Sequence, residues 1–135
     1  MRKKLNRILL VDDDPDDNYF HQIIINEMNI VSQVDTVVNG IEAIAYLNQK
    51  NCVHPEIIFL DLNMPKMNGW EFLEQYKHLD IAKKAKVLIL ILTTSANPDD
   101  IKRANGIPEV TGFETKPLTK ELLLEILQEH FQDYL

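Results

Sequence analysis

The chain has 135 residues, 45% apolar and 26% charged, which is the composition of an ordinary globular protein with enough residues for one domain and one hydrophobic core. Its formal net charge of -7 argues against nucleic acid as a direct partner, because binding to duplex phosphates requires a basic face. The single cysteine, Cys52, excludes an internal disulfide, and no segment predicts a membrane span or a signal peptide, so we expect a cytoplasmic protein.

Strand-like and helix-like patterns alternate along the chain, which is typical of βα units around a parallel sheet. Three continuously apolar runs predict strands buried on both faces, and two weaker runs predict edge strands. Placing the weak second and fifth strands outside gives the order 2-1-3-4-5, which is that of a doubly wound, flavodoxin-like α/β fold. In chain order the predicted strands are Ile8–Val11, Val34–Val38, Ile57–Leu60, Val87–Leu92 and Gly112–Thr115.

Helical periodicity predicts five helices between and after these strands. The first begins at Pro15, the second follows Gly40, the third follows Gly69, the fourth begins near Pro98, and the last is capped by Thr119. We interpret their apolar stripes as core packing. The stripes of the first, second, third and fifth helices are Phe20, Ile23, Ile24 and Met28; Ile41, Ile44, Ala45 and Leu47; Phe72, Leu73 and Tyr76; and Leu122, Leu123, Ile126, Leu127, His130 and Tyr134.

Polar side chains stand where the predicted strands end. Asp12 and Asp13 follow the first strand, Asp61 the third, Thr93 the fourth and Lys116 the fifth. Because the carboxyl ends of parallel strands meet at one edge of a sheet, we expect these groups to converge there. Three acids, one hydroxyl and one ammonium indicate a site for a divalent cation and a phosphoryl group.

The predicted cation is Mg²⁺, which prefers hard oxygen ligands and retains coordinated water. Asp13 and Asp61 end neighbouring predicted strands and could both contact one ion, with the backbone carbonyl of Asn63 as a further ligand. The four histidines are scattered and show no transition-metal spacing. With the cation bound, one aspartate could act as a nucleophile and accept a phosphoryl group. Thr93 would then donate a hydrogen bond to one phosphoryl oxygen, and Lys116 would pair with another.

Lys116 is followed by Pro117, and an X–Pro bond can be cis at a cost of roughly 0.5–1 kcal/mol. A cis bond at this position would turn the lysine side chain back toward the acids.

Four motifs surround these residues. They are Ile8-Leu9-Leu10-Val11-Asp12-Asp13, Leu60-Asp61-Leu62-Asn63-Met64-Pro65 with Asn68-Gly69, Leu92-Thr93-Thr94-Ser95, and Phe113 three residues before Lys116-Pro117. Taken together, these motifs resemble the receiver domain of two-component response regulators over essentially the full length of the chain. A shorter segment, from Asp61 to Trp70, is similar to the small stand-alone regulators found beside phytochrome-type histidine kinases.

The resemblance implies roles for these residues. Asp61 would be the phosphorylation site, Asp12 and Asp13 the acidic pair that binds Mg²⁺ with it, and Lys116 the sensor of the phosphoryl group. Thr93 and Phe113 would form the switch. These six assignments concern Asp12, Asp13, Asp61, Thr93, Phe113 and Lys116.

The function implied is that of a signalling protein rather than an enzyme with an external substrate. We expect residues 1–135 to form a single receiver domain with no output domain, phosphorylated by a histidine kinase or a histidine phosphotransfer protein. It would signal through protein–protein contacts made by the surface of helix four, strand five and helix five. A phosphorylation-dependent dimer is compatible with this function.

Other interpretations apply to parts of the chain. We interpret Asp14, Asp16 and Asp17 as solvated acids at a helix N-terminus, where negative charge is favourable. A calcium loop is rejected, because Asp17 stands where glycine is needed and Ile23 where glutamate is needed. Two alternative functions stay open: a constitutive docking module that does not use its site, and an Asp-nucleophile phosphohydrolase. The second would require an acid at Asn63.

Overall fold

A computed structural model describes residues 4–49, 53–80, 87–94 and 97–132, so that Cys52, Ser95 and Tyr134 lie outside the described residues. Strands and helices alternate along the chain, as predicted. The strands are β1 (Leu5–Val11), β2 (Val31–Val37), β3 (Ile57–Leu60), β4 (Leu88–Thr93) and β5 (Val110–Thr115). The helices in the described ranges are α1 (Pro15–Glu27), α2 (Gly40–Leu47), α3 (Gly69–Tyr76), α4 (Pro98–Asn105) and α5 (Lys120–His130).

The five strands form one parallel sheet in the order β2-β1-β3-β4-β5, which confirms the predicted doubly wound fold. Every residue of β3 pairs with β1 on one side and with β4 on the other. Val11 of β1 lies opposite Leu60 of β3. The residues that follow them, Asp12 and Asp61, therefore leave the sheet at the same level.

The edge strands are longer than their apolar runs indicated. β2 begins at Val31 and β5 at Val110, because exposed or half-buried positions recur along both strands and so leave no continuous apolar run. The charge inside β2 belongs to Asp35, whose carboxylate accepts the Tyr46 hydroxyl at 2.6 Å and pairs with Arg7 at 3.3 Å.

Two hydrophobic cores cover the two faces of the sheet. Alternate strand residues enter opposite cores, since successive side chains of a strand point to opposite faces. Ile8 and Leu10 pack with residues of α1 and α5, whereas Leu9 and Val11 pack with residues of α2, α3 and α4. The predicted stripe of α3 is buried, and the described residues of the α5 stripe, Leu122 to His130, are buried or half-buried.

The interpretation of the α1 stripe was wrong for two residues. Phe20 is 47% exposed and Ile23 is 38% exposed. The buried residues of α1 are Asn18, His21 and Ile25, a strip that includes two polar side chains. Asn18 donates a hydrogen bond to the Asp12 carbonyl oxygen, and His21 accepts one from the Leu118 N–H, both at the carboxyl edge of the sheet. These bonds set which face of α1 is turned inward.

In α2 the prediction was also partly wrong. Ile41 and Ala45 are exposed, and Ala43 and Leu47 are the buried apolar residues. This helix has only eight residues, and apolar residues lie on both its buried and its exposed side. The periodicity of the sequence therefore did not determine which side faces the core.

Each described helix begins with a side-chain cap that accepts a backbone N–H of the first turn. Thr119 caps α5 as predicted, and Asp14 caps α1. The capping residues are Asp14, Asn39, Asn68, Asn97 and Thr119. None of the described helices combines the length and the apolar character needed to cross a membrane.

Gly69, the first residue of α3, lies against the backbone that follows β3. Its N–H donates to the Leu62 carbonyl oxygen at 2.9 Å. A Cβ atom at Gly69 would stand 2.7 Å from the carbonyl oxygen of Asp61 and 2.9 Å from the Cα of Leu62. Because both atoms are backbone, a side chain here would displace the segment that carries Asp61.

We expect Gly69→Ala to lower the free energy of unfolding by about 1–3 kcal/mol, the usual cost of forcing an extra methyl group into a packed site. Gly106→Ala is the matched control, because the nearest atom to its added Cβ is 3.5 Å away and its φ of -85° suits alanine. That variant should be neutral or more stable by about 0.4–1 kcal/mol. Urea denaturation measures both, and equal stabilities for the two variants would contradict the close approach at Gly69.

Candidate functional site

The carboxyl edge of the sheet holds the acids and the lysine singled out in the sequence. Asp12 and Asp13 follow β1, Asp61 follows β3, and Lys116 follows β5. Thr93 is the last residue of β4 rather than the first residue after it. The structure thus brings all five residues to one edge of the sheet.

The three carboxylates form a compact cluster. One oxygen each from Asp12, Asp13 and Asp61 lies within 4.8 Å of the other two. Asp12 is 5% exposed and Asp61 6% exposed, whereas Asp13 is open to solvent. Oxygens on opposite sides of a bound Mg²⁺ are roughly 4.2 Å apart, at about 2.1 Å from the ion each. The donor set and its spacing therefore fit Mg²⁺, with a solvent-facing side where coordinated water could remain.

Backbone and side-chain hydrogen bonds fix the turn that carries Asp12. Its N–H donates to the carbonyl oxygen of Val37 at 3.1 Å, which continues the pairing of β1 with β2. The Asn18 side-chain amide donates to the Asp12 carbonyl at 2.8 Å, and the Asp14 N–H donates to Asp12 Oδ1 at 3.0 Å. The backbone of Asp12 is thereby held from α1 and from the sheet, and its carboxylate by the N–H of the residue that caps α1.

Asp61 is an unfavourable place for a negative charge. Burial raises the pKa of its carboxyl from an ordinary value of 3.8 to about 6. The positive charge of Lys116 acts in the lowering direction, the negative charge of Asp12 raises the pKa further, and the N–H groups of Asn63 and Leu62 lower it by hydrogen bonding. Part of the cost of ionising Asp61 thus remains unbalanced in the protein alone.

Lys116 reaches the acids with a nearly buried side chain, 9% exposed. Its Nζ lies 2.6 Å from Asp12 Oδ2 and 3.7 Å from Asp61 Oδ2. Burial lowers the pKa of Lys116, but hydrogen bonds to Asp12 and Asp17 and the charge of Asp61 outweigh it, so the net shift is upward. The ammonium is therefore charged across the physiological range.

The backbone around Lys116 is fixed as well. Its N–H donates to the Thr93 carbonyl oxygen at 2.7 Å, and the Lys116–Pro117 bond is cis.

Asp17 also contacts Lys116, which corrects the interpretation of this residue as a solvated acid. Asp17 Oδ2 lies 2.7 Å from Lys116 Nζ, and the Asp17 side chain is 35% exposed. Asp14 does cap the helix, and Asp16 is exposed, as expected for these two residues. The correction arises because the partner of Asp17 is 99 residues away in the chain.

His21 is a supporting residue that the sequence did not indicate. Its buried Nε2 accepts the Leu118 N–H at 3.3 Å, so α1 holds the segment after Lys116. Burial lowers the pKa of His21, with Asp17 acting to raise it, Lys116 to lower it and Asp12 to raise it. A neutral imidazole is what an acceptor nitrogen requires. The one usable signal was spacing: Asp17 and His21 are four residues apart and share a helix face.

Thr93 and Phe113 lie on neighbouring strands. In the β4–β5 register Thr93 lies opposite Thr115 and Ile91 opposite Phe113, so the side chains of Thr93 and Phe113 share one face of the sheet. Thr93 is buried, and Phe113 is half-buried against the core on that face. Asn63 is exposed two residues after Asp61, and the ligand role of its carbonyl stays a prediction.

A cavity lies away from the carboxylate cluster, between α3 and the end of α4. Its volume is about 500 Å³. The Arg103 guanidinium stacks over the Trp70 ring, 4.3 Å from its centroid, at this cavity. None of the carboxylates of the cluster lines it.

Comparison with known proteins decides the family. The model of the response regulator receiver domain matches residues 8–128. The chain belongs to the receiver domain family of response regulators. Receiver domains act in two-component signalling, and this membership confirms the resemblance on which the expected roles were based.

Individual relatives agree with this placement. Response regulator Rcp1 of Synechocystis sp. is 35% identical over 98 residues, which cover 70% of this chain and 65% of Rcp1. The chain thus spans slightly less than two thirds of the length of that relative. A two-component response regulator from Cytophaga hutchinsonii has a crystal structure that matches with a TM-score of 0.86 and 32% identity, covering 94% of this receiver domain and 97% of that chain.

A third similarity supports the finer resemblance to phytochrome-associated regulators. The crystal structure of the phosphorylated cyanobacterial phytochrome response regulator RcpA matches with a TM-score of 0.75 and 31% identity. The match covers 96% of this chain and 94% of RcpA.

The raised pKa of Asp61 gives a test of the site that needs no ligand. The folded pKa, about 6, lies above the ordinary value of 3.8, so the folded protein binds this proton more tightly than the unfolded chain. Stability from this group therefore falls as pH rises between those values and stays low above pH 6. We expect Asp61→Asn to raise the free energy of unfolding by roughly 1–3 kcal/mol at pH 7.5, and to lose that gain below about pH 4.

Urea denaturation in the presence of a chelator, at both pH values, makes this measurement. Asp13→Asn is the matched control, because it removes a charge from the same cluster at an exposed position. An Asp61→Asn protein no more stable than the wild type at pH 7.5 would contradict the proposed burial cost.

Proposed function

We propose that this receiver domain accepts a phosphoryl group on Asp61 from a phosphohistidine of a histidine kinase or a histidine phosphotransfer protein. The observation that carries the proposal is the juxtaposition of three clustered carboxylates and a buried lysine in a member of the receiver family. Mg²⁺ would be held by Asp12, Asp13 and Asp61, with the Asn63 carbonyl as a further ligand. When bound, the ion would neutralise the carboxylates and the phosphoryl oxygens.

In the transfer itself, a carboxylate oxygen of Asp61 attacks the phosphorus of the donor. An O–P bond forms to Asp61, the P–N bond to the donor imidazole breaks, and the bond's electron pair returns to that nitrogen, which takes a proton. Lys116 would neutralise one phosphoryl oxygen, since its ammonium already lies 3.7 Å from Asp61. Thr93 would donate its hydroxyl to another. Such transfer depends on position and charge neutralisation rather than on further covalent chemistry.

Signalling would follow from a change in the surface formed by α4, β5 and α5. Thr93 and Phe113 share a face of the sheet, so a shift of Thr93 toward the phosphoryl group would open space for the half-buried ring of Phe113. Ile101 is a half-buried residue of α4, the helix that packs against β5. We propose that the altered surface binds another protein, with a phosphorylation-dependent dimer as one form of that contact.

The remaining features of the proposal concern the whole protein. We propose that residues 1–135 form one receiver domain and that it acts in the cytoplasm. Its chemistry would be confined to its own phosphorylation and dephosphorylation. The phosphohydrolase alternative is disfavoured, because Asn63 stands where the second catalytic acid would be needed.

The first test is phosphorylation by a small-molecule donor. Incubation with acetyl phosphate and Mg²⁺ should add the mass of one phosphoryl group to the wild type, and Asp61→Asn should show no gain. Intact-protein mass spectrometry measures this, with Asp16→Asn as a control that removes an exposed acid from the neighbouring helix. Labelling of Asp61→Asn at the wild-type rate would remove Asp61 from the acceptor role. No labelling of any variant would leave two explanations, a strict requirement for the phosphohistidine donor or the docking module.

The role of Lys116 is tested by separating metal binding from switching. Lys116→Ala should still bind Mg²⁺, because it removes a positive charge that competes with the ion, but the conformational response to phosphorylation should be largely lost. We propose the fluorescence of Trp70, which follows Gly69 at the start of α3, as the readout for both events. A full phosphorylation-dependent fluorescence change in Lys116→Ala would show that Lys116 has no part in the switch.

A further inference from the structure

Lys116 has two close partners, and only one of them belongs to the carboxylate cluster. Its Nζ lies 2.6 Å from Asp12 and 2.7 Å from Asp17, a full ångström closer than Asp61 at 3.7 Å. The compact cluster consists of Asp12, Asp13 and Asp61 and does not include Asp17. The ammonium is therefore shared between a carboxylate of the cluster and one outside it.

Asp17 is held in this position by the start of α1. Pro15 opens the helix, and the Asp14 side chain accepts the N–H groups of Asp16 at 2.9 Å and of Asp17 at 3.4 Å. One turn later His21 accepts the Leu118 N–H. The first turns of α1 thus fix both the ammonium of Lys116 and the backbone just after it.

The charges explain why a second partner matters. An ammonium has three N–H donors but one positive charge, and any carboxylate oxygen that it occupies is less available to a cation. Without Asp17, the nearest acceptors for Lys116 would be Asp12 and Asp61, and the proposed ion needs both. Asp17 offers an equally close carboxylate outside the cluster.

We infer that Asp17 is a positioning residue that keeps the Lys116 ammonium paired when Asp12 binds a divalent cation. This inference rests on the proposed function, in which Asp12 and Asp61 bind Mg²⁺. Asp17 lowers the competition between lysine and metal, and it keeps Lys116 at the edge of the site. From there its remaining N–H can reach a phosphoryl group on Asp61.

The consequence is measurable as metal affinity. Asp17→Asn keeps the shape of the side chain but removes its charge, so Lys116 should shift its pairing to Asp12 and Asp61. We expect the Kd for Mg²⁺ to rise roughly threefold to tenfold, the range typical of coupled groups in one network. Asp16→Asn removes the same charge from the neighbouring exposed position, and its effect on the Kd should be clearly smaller.

The deciding experiment is a calorimetric titration of the full chain with MgCl₂. The variants are the wild type, Asp16→Asn, Asp17→Asn, Lys116→Ala and the double variant Asp17→Asn with Lys116→Ala, each checked for folding by circular dichroism. If Asp17 acts through Lys116, the effect of Asp17→Asn should shrink to that of Asp16→Asn once Lys116 is absent. The comparison of Asp17→Asn with Asp16→Asn needs no change at Lys116, so it decides the question even if the Lys116 variants do not fold.

The outcomes separate this inference from the proposed function. If the wild type binds Mg²⁺ and Asp17→Asn weakens binding no more than Asp16→Asn does, the positioning role of Asp17 is overturned and the metal site stands. If Asp17→Asn changes the Kd for Mg²⁺ equally with and without Lys116, Asp17 acts only through its own charge at a distance. That result would overturn the inference as well. A wild type that does not bind Mg²⁺ would overturn both proposals.

Discussion

Two carboxylates, those of Asp12 and Asp61, are taken almost completely out of water beside a single ammonium group. Removing like charges from water is costly unless they are paired, and one lysine offsets only one of them. The raised pKa of Asp61 is the local sign of that imbalance. A site with excess buried negative charge is suited to bind a divalent cation, because the cation balances the carboxylate that the lysine leaves unpaired. Only after that charge is balanced is the site suited to a phosphoryl group, which is itself negative.

Much of this arrangement could be predicted from the sequence, because it depends on strand order and strand ends. Continuous apolar runs such as Ile57–Leu60 occur where a strand is buried on both faces, and interrupted runs where it lies at an edge. Once the order is known, the residue after each strand has a defined place. Asp12, Asp61 and Lys116 meet for that reason, and no detail of their side chains was needed to expect it.

The parts that escaped prediction depend on contacts between distant segments. Asp17 has the sequence context of an ordinary helix-end acid, and nothing near it in the chain indicates Lys116. The rotation of α1 was misjudged for a related reason. Apolar residues occur on more than one face of that helix, and the face turned inward carries Asn18 and His21, whose hydrogen bonds to the β1 and β5 ends compete successfully with the burial of Phe20 and Ile23.

The short strand β3 makes the site sensitive to chain length. Its residues pair on both sides and alternate between the two cores, Ile57 and Phe59 in one, Ile58 and Leu60 in the other. Deleting one residue would draw Asp61 back by about 3.3 Å and exchange the faces of the side chains before it. The position of Asp61 in the site thus depends on the number of residues in β3. A substitution in β3 changes one side chain in one core, whereas a single insertion or deletion would disturb both cores and the acceptor together.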